Sequence, residues 1–317
     1  MIAHFPEAML PALRSYYRDP SEDSRRLIEQ LPIYPLKGGL NNSLFLLDDD
    51  GTRQCIKLYR VDDRRRAERE WQSLSLLHQS NIRIAPQPFW SDVLSDVPAV
   101  GMEYIDGVPL SQQAVGHYEM LCLAKTLQQL YAITPERCDY PYVAIGRACE
   151  RLEKLSLWSQ QLDTFKLHPL GSTIRDLLHQ WPLDKDATIL CLPAPPVFSS
   201  GDPNLANCLW DGSSIQCVDF EYAGWSDLAF ELADLLEGLF ARQISDTCWE
   251  LFLEQFDLAA PDIQARFSSA RRLCAMYWIF LLWNRLMKGH DVTDALCTYI
   301  QRMRCMLSVA HEESSLL

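Results

Sequence analysis

About a third of the way along, the sequence stops reading as strands and starts reading as helices. One β-like island, Pro195 to Gly224, then interrupts the helical part. The run Leu36 to Val61 places two apolar, period-two stretches around the polar turn Asp48-Asp49-Asp50-Gly51, which predicts a hairpin. Before it, Ser21 and Asp23 precede Leu27, Ile28 and Leu31 at helical spacing. After it, Arg66 to His78 predicts a helix with Trp71, Leu74 and Leu77 on one face, and Pro98 to Gly107 a further strand. Helices are then expected from Tyr118, from Glu150, from Ser172 and from Ala229 to the C-terminus. Strands gathered at one end and helices at the other predict an α+β fold, because parallel α/β sheets require regular alternation.

With 317 residues, 48% of them hydrophobic and 22% charged, the chain has enough apolar surface for a sizeable core and the length for two lobes. Twenty-nine basic residues against forty-two acidic ones give a net charge of −13, which argues against a nucleic-acid partner. None of the eleven cysteines forms a CxxC pair, and the seven histidines show no metal spacing. Most cysteines lie in apolar stretches and are expected to be reduced core residues. The longest apolar run, Ala275 to Trp283, is well short of the roughly 20 residues that span a bilayer. No leader-like start is evident, so a cytoplasmic protein with no membrane partner is expected.

The island carries the chemistry. It reads Gly201-Asp202-Pro203-Asn204-Leu205-Ala206-Asn207, and twelve residues later Asp219-Phe220-Glu221. Phosphoryl transfer needs a carboxylate to orient and deprotonate the attacking hydroxyl, and oxygen ligands to hold Mg2+ on the phosphates of ATP. Asp202 suits the first role, and Asn207 with Asp219 the second. Lys57, in the second hairpin strand, suits contact with the phosphates. Glu70 on the following helix suits holding that lysine, with Glu68 as the alternative.

These segments resemble the aminoglycoside phosphotransferase and choline kinase superfamily, the protein-kinase-like small-molecule kinases. GGLNNSLFLL looks like the family's phosphate-covering loop, IKLYR like its lysine strand, AEREWQSLSLL like its glutamate helix and VGMEYIDGVPL like its hinge. The resemblance implies a bilobal protein-kinase-like fold. Residues 1–103 would form a small β-rich N-terminal lobe with one key helix, and residues 104–317 a larger, mainly helical C-terminal lobe. It further implies Gly38, Gly39 and Asn42 over the phosphates, the backbone of Glu103, Tyr104 and Ile105 against adenine, and a small-molecule hydroxyl as acceptor. An amino alcohol of the choline, ethanolamine or thiamine type, a sugar and an aminoglycoside-like compound all stay open. Ser200 stands where the family usually has His, which keeps a nucleotide-binding pseudokinase as the rival reading. The usual Asp-Leu-Ala helix start is matched by Asp227-Leu228-Ala229 or Glu231-Leu232-Ala233, and spacing favours the second.

Tyr222, Trp225 and Trp283 are candidate walls for the acceptor. Tyr222 follows the metal-site motif directly. Trp283 ends an aromatic stripe, Tyr277 to Trp283, that suits either a cation–π surface or a helix core.

Overall fold

The computed structural model describes residues 9–36, 42–49, 51–136, 138–160 and 168–315, the last six as backbone. Two compact units emerge. One comprises residues 1–144, 197–202 and 206–225, the other residues 145–196, 203–205 and 226–317. Residues 103 and 104 both lie in the first unit, where Val108–Pro109 pairs with a strand of the island.

The first unit opens with helices α1 (Leu10–Arg18) and α2 (Glu22–Glu29). A five-stranded antiparallel sheet follows, built from β1 (Ile33–Leu36), β2 (Ser43–Asp49), β3 (Thr52–Leu58), β4 (Pro88–Asp92) and β5 (Ala99–Glu103) in the order β1-β2-β3-β5-β4. Helix α3 (Arg66–Gln79) lies between β3 and β4 in sequence. Alternation along β2 and β3 sends Phe45, Leu47, Ile56 and Leu58 into one core with Leu10, Leu13 and Ile28 of the two helices. Lys57, between Ile56 and Leu58, therefore points away from that core, although it too is buried.

The unit also holds β6 (Val108–Pro109), α4 (His117–Tyr131), the island strands β8 (Cys208–Trp210) and β9 (Ile215–Cys217), and all but the border residues of β7 (Pro196–Ser199) and β10 (Gly224–Asp227). Strands β6, β8 and β9 form one small sheet, and β7 pairs with β10. The β8–β9 turn is closed by Asp211, whose carboxylate accepts from the Ser213 and Ser214 amides at 2.8 and 2.7 Å. These bonds hold its pKa down at about 2.

The second unit contains α5 (Ala148–Ser159), α6 (Pro169–Gln180), α7 (Leu183–Cys191), α8 (Leu228–Glu237), α9 (Asp246–Leu253), α10 (Pro261–Met287) and α11 (Thr293–Ser315). Its core gathers Ile174, Phe230, Leu273, Ile279, Phe280, Trp283, Tyr299 and Met303. Asp227 caps α8, accepting from the Phe230 amide at 2.9 Å, so this helix opens at Asp227-Leu228-Ala229 rather than at Glu231. A capping carboxylate decided what motif spacing misjudged. Four cysteines (Cys208, Cys217, Cys248 and Cys274) are buried; Cys149, Cys191, Cys297 and Cys305 are exposed, so the core reading holds for fewer than expected.

Candidate active site

The site is assembled around one buried amine. Lys57 Nζ lies 2.6 Å from Glu70 Oε2, 2.5 Å from Asp219 Oδ1 and 3.3 Å from Glu221 Oε2. Burial disfavours its charge, but three carboxylates more than compensate and push its pKa up. Glu70, on the buried face of α3, also accepts from Tyr59 Oη at 2.6 Å. Its burial raises its own pKa against the pull of Lys57. Glu68 instead faces outward and pairs with Arg65 at 2.5 Å, so of the two glutamates it is Glu70 that meets the lysine.

Asp219 follows β9 with φ at +68°, a left-handed conformation that aspartate enters more readily than most residues and that its surroundings fix here. Two contacts do so. Lys57 holds its side chain, and the next amide, of Phe220, donates to Glu70 Oε1 at 3.3 Å. Glu221 is buried as well. It accepts from Asn42 Nδ2, and Arg66 Nη1 stands 3.4 Å from its other oxygen. Arg66 escaped the sequence reading because the run Asp62 to Glu70 looks like a solvated charged stretch. Its position four residues before Glu70, on the same helical face, was the available signal.

Asp202 and Asn207 sit together, with Asn207 Nδ2 donating to the Asp202 backbone oxygen at 3.3 Å and to its Oδ2 at 3.2 Å. Gly201 has φ of +78°, and a Cβ there would stand 2.0 Å from the Tyr222 carbonyl oxygen. Only glycine lets the two segments pass this closely. Tyr222 is thereby placed beside the catalytic-loop candidate, and its hydroxyl accepts from Arg64 Nη1 at 3.0 Å. Trp225 donates from Nε1 to the Tyr140 carbonyl at 2.9 Å and packs edge-on against Phe198.

The remaining candidates are placed as follows. Gly38 and Gly39 lie outside the described residues. Glu103 is exposed, its amide donating to the Gln87 carbonyl at 2.8 Å, and Tyr104 lies under Arg53. Ile105 is half-buried in the irregular stretch that follows β5. Trp283 is 2% exposed, within the core of the second unit. The cation over Tyr277 is the chain's own Arg151, 4.8 Å from the ring centroid and paired with Asp234 at 2.5 Å.

One carboxylate oxygen from each of Glu70, Asp219 and Glu221 lies within 4.8 Å of the others. Hard oxygen donors are the kind that Mg2+ takes, but all three carboxylates already meet Lys57 Nζ. Glu70 and Glu221 are enclosed by their cationic partners, while Asp219 is 34% exposed at its side chain and is the donor best able to reach a metal.

A model of the phosphotransferase enzyme family matches residues 33–265. The chain belongs to that family. No curated protein sequence matches it significantly. Among solved structures, this phosphotransferase is similar to a choline/ethanolamine kinase family protein from Mesorhizobium loti, with TM-score 0.64 and 16% identity over 94% of this chain and 95% of the other. It is similar to a choline kinase from Cryptosporidium parvum, with TM-score 0.62 and 16% identity over 98% and 97% of the two chains. It is also similar to a spectinomycin phosphotransferase solved with ADP and spectinomycin, with TM-score 0.60 and 14% identity over 90% and 97%. The α+β fold is thus the kinase-like one.

Proposed function

We propose that this phosphotransferase moves the γ-phosphoryl group of ATP to a hydroxyl of a small molecule. The observation that carries the reading is Lys57, held between Glu70 and Asp219, with Asp202 and Asn207 on the neighbouring loop. Lys57 binds phosphate oxygens, and Glu70 with Tyr59 keeps its amine in place. Asp202 takes the acceptor's hydroxyl proton, its carboxylate oriented by Asn207. Mg2+, held by Asp219 and Asn207, would neutralise charge on the phosphates when bound. Asn42, fastened to buried Glu221, anchors the start of β2 beside Lys57. In this reading residues 1–103 cover the nucleotide, residues 104–317 supply the hinge, the catalytic loop, the metal ligands and the acceptor surface, and a set of free thiols fits a reducing cytoplasm.

Tyr222, whose backbone passes close to Gly201, and Trp225 are the proposed acceptor walls, whereas Trp283 belongs to the core of the second unit. Two of the aromatic rings considered for a cationic substrate already carry guanidinium groups, Arg64 on Tyr222 and Arg151 on Tyr277. That occupancy favours a sugar-like or polyol acceptor over a quaternary amine. The test is ATP consumption with a panel of choline, ethanolamine, thiamine, homoserine, sugars and aminoglycosides. Turnover is expected with a polyhydroxylated member. Efficient turnover of choline would reverse the assignment of acceptor class.

A further inference from the structure

We propose that the protein carries an anion site away from the candidate active site, formed by Arg242, Arg271 and Arg302 around Glu237, and that it takes a compact phosphate dianion. Glu237 ends α8 and is fully buried. Arg271, on α10, donates from Nε to Glu237 Oε1 at 2.8 Å. Arg302, on α11, grips the same carboxylate with two nitrogens. Arg242, in the short 3-10 turn Leu239–Gln243, donates to the Leu236 carbonyl and stands 3.9 Å from Glu237 Oε2.

Three guanidinium charges thus share one carboxylate. The next acid along α8, Asp234, is taken by Arg151 in a two-pronged pair at 2.5 Å. A cross-brace between α8, α10 and α11 needs only Arg271 and Arg302. The third arginine adds repulsion, and the cost is visible in Arg242, whose pKa is lowered by burial and then by Arg302 and Arg271 despite Glu237. In a chain of net charge −13 this local positive excess is an exception.

The donors are also incompletely used. Both terminal nitrogens of Arg271, Nη1 of Arg302 and Nη1 of Arg242 make no hydrogen bond to the described residues, and Arg242 Nε is buried without a partner. The three side chains are 20–29% exposed, so the cluster is open to solvent. A dianion with tetrahedrally arranged oxygens meets both conditions, since it cancels two charges and accepts from planar forks arriving from different elements. Free phosphate and a phosphate monoester share this chemistry. The inference does not depend on the transfer reaction proposed above.

The test is thermal unfolding in inorganic phosphate or methyl phosphate, at constant ionic strength set with sodium chloride and with saturating Mg-ADP present to fill the nucleotide site. A saturable rise is expected, roughly 2 °C at ten times the dissociation constant for a chain of this size. It should be lost in Arg242→Gln, which leaves the Arg271 and Arg302 bonds to Glu237 intact, and in Arg271→Gln. A response to both ions means that the site admits an ester, and a response to inorganic phosphate alone means that it takes the free ion. No rise, an equal rise in chloride alone, or a rise unchanged in both variants would overturn the proposal.

Discussion

At the scale of single residues, Lys57 is the charge on which Glu70, Asp219 and Glu221 converge. Lys57→Met removes that cation and leaves buried acids facing one another. It should cost about 3–5 kcal/mol of stability as well as turnover. Asp202→Asn keeps the side chain's size and leaves that ion cluster untouched, so it should abolish turnover while the melting temperature stays near that of the natural protein. Calorimetry beside ATP consumption separates the two, and equal melting losses would mean that Asp202 is structural. Gly201→Ala should cost roughly 1–3 kcal/mol, through positive φ and the clash with the Tyr222 carbonyl, a loss read from chemical denaturation. The glycine's need for space was invisible in sequence, because it depends on a segment twenty-one residues away.

At the scale of elements, α3 is tied down by Arg69, whose Nη1 donates to the carbonyls of Val143 and Ala223, both at 2.8 Å. The helix that carries Glu70 thereby reaches the stretch that follows Asp219. Period-two and helical patterns made the β2–β3 hairpin, α3, β5 and the island legible, since each buries one face against a continuous core. Helix α1, strand β4 and helix α7 were not read, being short and flanked by mixed polarity. The Arg66–Glu221–Asn42 link joins residues 155 and 179 positions apart and has no local signature. In the helical unit, burial alone would raise the Glu237 pKa, but Arg302, Arg271 and Arg242 together lower it. A depressed carboxylate pKa stabilises the fold above the unfolded value, about 4.3 for Glu, and that contribution is lost as pH falls through the folded value. Glu237→Gln should therefore be less stable at neutral pH and show a flatter acid limb in a plot of melting temperature against pH. An unchanged acid limb would show that Glu237 is not the group responsible.

At the scale of the whole molecule, no helix among the described residues is long and apolar enough to cross a membrane, and the kinase-like fold carries its candidate chemistry on the sheet, α3 and the island. The resemblance read from five ordered motifs agrees with the family match over residues 33–265. The acceptor was not legible, because the surroundings of a candidate wall such as Tyr222 form only on folding, where Arg64 reaches its hydroxyl. The central claim is that the Lys57–Glu70–Asp219 cluster binds Mg-ATP. Its most direct test is thermal unfolding of the natural protein and of Asp219→Asn with ATP, each with and without magnesium. The account predicts that Mg-ATP at about 100 times its dissociation constant stabilises the natural protein by roughly 2.7 kcal/mol. It also predicts that Asp219→Asn loses the part of this effect that requires magnesium. A natural protein indifferent to Mg-ATP, or a variant stabilised by it to the same extent, would contradict the claim.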